Sequence, residues 1–180
     1  MLSREALKAF KKQYMEEFGR NLSDDEALAI ALFENAILHT QNFIARFEQE
    51  LGEMNSEEKA RAVEDIMGYS LGLIFIYLGS NAKFDDIRSH ILNEYRKFLG
   101  IHSGTTDEKQ NETLSGFLHE KLHRNIMWLS TPFEKRVLTE KITSGLSSGI
   151  RSIPMLQYKP IVERLVAEVE LSMTHFGVVK

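Results

Sequence analysis

The chain has 180 residues, 43% hydrophobic and 27% charged, with 22 Lys and Arg against 26 Asp and Glu. That length suits one domain able to bury a core without staples, and the absence of cysteine excludes a disulfide framework, a CxxC redox pair and thiolate metal sites. A net charge of −4 gives no general attraction to nucleic acid, although residues 1–90 hold 10 basic and 16 acidic side chains and residues 91–180 hold 12 and 10.

Leu7, Phe10, Tyr14 and Phe18 recur at spacings of three and four, which predicts a first helix between Ser3 and Gly19 with these residues on its apolar stripe. Ser23 followed by Glu26 is a capping box, because each side chain can take a backbone N–H left over at a helix start. The second helix that it opens carries Ala27, Leu28, Ala31 and residues 33–38 on its core face. Its pattern resumes through Phe43, Ile44, Phe47 and Leu51, and leaves open a break near Thr40. Residues 1–52 thus read as an N-terminal helical hairpin. Asn55 and Glu58 repeat the capping box. The third helix, Ser56 to Leu78, is polar in its first half and apolar all round in its second, as expected of a helix through the middle of a bundle. Gly68 and Gly72 lie one turn apart on it and read as notches for a neighbouring helix. The apolar run from Leu71 to Leu78 falls well short of the ~20 residues that cross a bilayer.

Asn81 is placed to cap a fourth helix with Asp85 and Asp86 in its first turn, the stripe Phe84, Ile87, Ile91, Tyr95 and Phe98, and an end at Gly100. A loop over 101–106 leads to Thr105 and Glu108, a third capping box, and a fifth helix bearing Leu114, Phe117, Leu118, Leu122, Ile126 and Leu129. Thr131-Pro132-Phe133-Glu134 offers an N-cap, a proline at the first helical position and a glutamate at the third, which opens a sixth helix. Gly145, Gly149, Pro154 and several serines predict an irregular loop over 143–160, with Pro160 opening the last helix. No stretch alternates in strand fashion for long. The expectation is an all-α fold: one domain over 1–180, a bundle of about seven helices around a central apolar helix.

The motif Phe10, Tyr14, Phe18-Gly19, Leu22-Ser23 and Glu26-Ala27, within residues 5–38, resembles the N-terminal helical hairpin of small uncharacterised bacterial proteins associated with mobile elements. The resemblance implies a bacterial origin and no chemistry.

His119-Glu120-Lys121-Leu122-His123 matches H-E-x-x-H, in which two imidazoles one turn apart can share a zinc ion and the glutamate can activate its water. A peptidase of this kind needs a further ligand, for which Glu134 or Glu140 would have to serve, and a sheet edge, for which the sequence provides no strand. A second metal reading joins His39 of the second helix to His119 and His123. That order resembles the three-histidine site of the DinB-like helical bundles, and it implies a divalent metal such as zinc or nickel with an open position for hydrolase or transferase chemistry. On a helical wheel with Leu114 at zero, His119 falls near ~140° and His123 near ~180°, beside the apolar face. The metal-free reading therefore takes them as boundary histidines.

Gly145-Leu146-Ser147-Ser148-Gly149 matches G-x-S-x-G without the strand that a nucleophile elbow requires, and reads as a flexible linker. Trp128 reads as a core anchor, or, if it lies at a surface, as a partner hot spot. Lys121, Arg124, Lys135, Arg136 and Lys141 form a mildly basic set, the only candidate for weak nucleic-acid contact. The first 18 residues are charged within four positions and lack the apolar core of a signal peptide, which predicts a cytoplasmic chain. With no catalytic constellation assured, the reading that follows is a non-enzymatic interaction or regulatory module. It needs no cofactor, and it works through a protein partner or self-association away from any membrane.

Overall fold

The computed structural model describes residues 4–79, 81–103, 108–129, 134–151 and 153–178, and within these the side chains of all but 4–6, 99–103, 108–115 and 117–119. The fold is an all-α bundle. Its helices are α1 (Arg4–Phe18), α2 (Asp24–Leu51), α3 (Ser56–Leu78), α4 (Asp85–Ser103), α5 (Glu108–Leu129), α6 (Lys135–Gly149) and α7 (Met155–His175), with a short 3₁₀ turn at Ala82–Phe84. None of the described helices is long and apolar enough to cross a membrane.

Local chemistry sets several boundaries. The Ser23 hydroxyl accepts from the Glu26 N–H at 3.1 Å while the Ser23 N–H donates to the Glu26 carboxylate at 2.8 Å. Asn55 and Glu58 do the same at 2.9 Å each way. Residues 105 and 131–133, which carried two further start signals, lie outside the described residues. Helix α6 starts at Lys135, later than those signals predicted. Glu134 is itself the N-cap, with extended backbone (φ −124°, ψ 133°) and no side-chain cap bond. Asn81 caps the 3₁₀ turn, accepting from the Lys83 N–H at 3.1 Å, and α4 continues past Gly100 to Ser103. Helix α2 is unbroken at Thr40, whose hydroxyl donates to the Ala36 carbonyl at 2.8 Å, so the buried oxygen is satisfied inside its own helix.

Residues 66–74 of α3 are buried without interruption, and α3 packs on α2, α5, α6 and α7. The two glycine notches on α3 admit α5. A Cβ built on Gly68 would lie 3.1 Å from Asn125 Nδ2, and one on Gly72 3.4 Å from Leu129 Cδ1. Helix α7 closes the bundle against α2 and α6, while α4 lies on α2 and α5. Helix α1 stands apart from the main core. Leu7, Phe10 and Tyr14 meet Leu22, Ala27 and Ile30 in a separate cluster. Phe18, expected on that stripe, is 61% exposed and instead stacks on Tyr14 at a centroid distance of 4.6 Å.

The irregular loop expected over 143–160 is mostly helix: α6 runs to Gly149 and α7 begins at Met155. The glycines taken as linker residues are packing notches. A Cβ on Gly145 would meet the Tyr69 hydroxyl at 2.0 Å and one on Gly149 the Asp65 carboxylate at 2.8 Å, so their bareness lets α6 lie against α3. Pro160 sits inside α7 rather than opening it. The turn before it is anchored by Tyr158, which is fully buried, donates to the Arg151 carbonyl at 2.9 Å and accepts the Arg151 N–H at 3.1 Å. That anchorage offsets the helix bond Pro160 cannot make.

Candidate interaction surface

The predicted metal ligands fall in different surroundings. His39 is 5% exposed on the seam between α2 and α7. Its Nε2 lies 3.1 Å from the Ser172 hydroxyl and its Nδ1 3.5 Å from Glu168 Oε2. Arg46 binds the other oxygen of Glu168, and Ser172 lies 3.4 Å from Asn35 Oδ1. Burial pushes the His39 pKa down, against the pull of Glu168, so the ring favours its neutral form. Neither ring nitrogen is directed at His123, which is exposed on α5. The side chain of His119 lies outside the described residues. Among the described residues no group of three or more His, Asp or Glu could hold a metal ion.

The order Ser172, His39, Glu168 has the connectivity of a hydroxyl–imidazole–carboxylate relay. Ser172 nonetheless lies within α7, where the neighbouring peptide N–H groups belong to the helix ladder. This polar seam, with partners 133 positions apart, ties α2 to α7.

The described part of the H-E-x-x-H segment, residues 120–123 of α5, lies in other surroundings. Leu122 is buried, and Lys121 points to α3, where its ammonium lies 2.6 Å from both Glu64 and Asp65. Burial opposes that charge, but hydrogen bonds to Asp65 and Glu64 outweigh it and hold the lysine above its usual range. Glu120 and His123 are left on the solvent side.

The basic set is largely committed to internal partners. Lys135 pairs with Glu170 at 2.6 Å and Arg136 lies 4.0 Å from Glu140. Lys141 donates to the Trp128 carbonyl and holds its ammonium 5.8 Å from the Trp128 ring, placing a cation at the C-terminal end of α5. Arg124 is exposed and pairs with no acid among the described residues.

Trp128 overturns the core expectation. It is 42% exposed, next to Met127 at 63%. With Lys121, Arg124 and Asn125 it lines an open cleft of about 470 Å³. Tyr69 of α3 backs it, at a ring distance of 6.4 Å. On the same wheel Trp128 falls near ~320°, at the edge of the apolar face, and Met127 near ~220°, off it. The wheel finds the exposed methionine but cannot show how far the neighbours leave the indole uncovered. No protein-family model matches this chain, and neither does any curated protein or solved structure.

Proposed function

We propose that the chain is a cytoplasmic, non-enzymatic interaction module, bacterial in origin, whose contact surface is the second half of α5. One observation carries this reading: the chain's one tryptophan is exposed, beside an exposed methionine and an arginine that pairs with no acid among the described residues. Tryptophan and arginine dominate the binding energy of protein interfaces, because a large rigid ring or a planar cation buries much surface at little entropic cost. The cysteine-free composition suits the reducing compartment that the reading assumes.

Trp128→Ala tests it. A surface ring costs at most ~1 kcal/mol of unfolding free energy on removal, whereas a core tryptophan costs ~3–5 kcal/mol. A photo-crosslinker at position 127 should join the protein to a discrete partner only when Trp128 is present. Loss of the fold on Trp128→Ala would overturn the proposal.

A further inference from the structure

The acidic half of the chain carries a face chemically matched to α5. Beyond the cluster that holds α1 on α2, Met15 is 41% exposed and Phe18 61% exposed, with Glu16 and Glu17 between them. Three cations near this face are committed, Lys11 to Asp24, Lys12 to Glu16 and Arg20 to Glu26, while Lys8 stands two turns before Met15. Glu17 forms no ion pair among the described residues. It stands near Glu34 of α2, whose carboxyl is held above its usual range by burial and then by Glu17 and Glu94. The face is therefore an apolar centre beside one acid, Glu17, that has no cation among the described residues. The α5 surface is an apolar centre, Met127 and Trp128, beside Arg124, a cation with no acid partner among the described residues.

We infer that a second copy of this chain occupies the α5 surface, its Met15 and Phe18 against Met127 and Trp128 and its Glu17 opposite Arg124. This rests on the reading of α5 as the contact surface and adds the occupant. Size decides the form. Both rings are already partly covered, so one contact falls well short of the ~1,200–2,000 Å² of a stable interface. Made twice about a two-fold axis, each copy giving α1 and receiving it, the buried area doubles and gives a weak, concentration-dependent association.

Sedimentation of the purified chain from about 1 to 300 µM tests this, with the mass expected to rise from the 20.7 kDa of one chain toward twice that value. Arg124→Glu and Glu17→Arg should each weaken association about tenfold, by setting like charges together. The two substitutions combined in one chain should restore most of it, which a merely structural effect would not do. Circular dichroism and melting temperature confirm that each variant folds. A chain that stays monomeric throughout, or a double variant no better associated than the singles, overturns the inference. If the monomeric chain still crosslinks to another protein through position 127, the α5 surface stands and only its occupant is wrong.

Discussion

Arg151 and Glu58 meet as a two-pronged pair, Nε and Nη2 each 2.7 Å from one carboxylate oxygen, and the same carboxylate is half of the capping box that starts α3. The guanidinium also donates to the Leu51 carbonyl at 3.0 Å and the Glu53 carbonyl at 2.7 Å, and stacks over Phe47 at 5.1 Å. One side chain from the α6–α7 connection thus organises the α2–α3 turn. The hydrogen bonds from Arg151, then from the Asn55 N–H, lower the Glu58 pKa from 4.5 to about 2. A depressed carboxyl stabilises the fold above its unfolded pKa. That contribution should be complete above about pH 4.5 and lost as pH falls toward 2. Arg151→Met should melt at a lower temperature and flatten the acid limb of stability against pH, as followed by circular dichroism.

Gly145→Ala should destabilise by about 1–3 kcal/mol in urea unfolding, although alanine is the better helix former, because its methyl group would collide with the Tyr69 hydroxyl. Tyr69→Phe in the same chain should recover part of the loss. Gly116→Ala, where nothing lies within 4 Å of the added carbon, should stabilise by about 0.5–1 kcal/mol.

His39 should titrate below the usual histidine range in an NMR titration of its ring. Burial sets its folded pKa below 6.5, so folding is favoured by the neutral ring. The contribution is whole above about pH 6.5 and shrinks as pH falls through the lowered value. Glu168→Gln removes the group that pulls the pKa back up, so the ring should titrate lower still. It also removes the charge opposite the Arg46 guanidinium, at a cost of about 1–3 kcal/mol.

Lys121→Met should destabilise more than the loss of an exposed lysine, by about 1–3 kcal/mol, since Glu64 and Asp65 would face each other without a cation. Asp65→Asn added to it should relieve part of that loss.

Features written within a few residues were legible in the sequence. Ser23 with Glu26 and Asn55 with Glu58 announce their helices because both partners sit in one turn. The same holds for the apolar run that buries α3. Glycine was legible only where its context was helical. Gly68 and Gly72 read as notches amid apolar residues, while Gly145 and Gly149 amid serines read as a loop, because Tyr69 and Asp65, which need the space, lie on another helix. The polar seam was illegible for the same reason: nothing local joins His39 to Ser172. The exposure of Trp128 depends on where its neighbours stop, which periodicity does not encode.

The seam between α2 and α7 also orders events in time. Synthesis delivers α2 complete, with Asn35, His39 and Arg46 along one side, while Ser172 and Glu168 are still far from being made. Until they arrive, that flank of the 28-residue rod lacks its partners from α7 and the ring of Tyr158 that packs on Phe47. A nascent chain halted before α7 would therefore hold its longest rod half-dressed, a form suited to capture by chaperones, and maturation would await the closing segment.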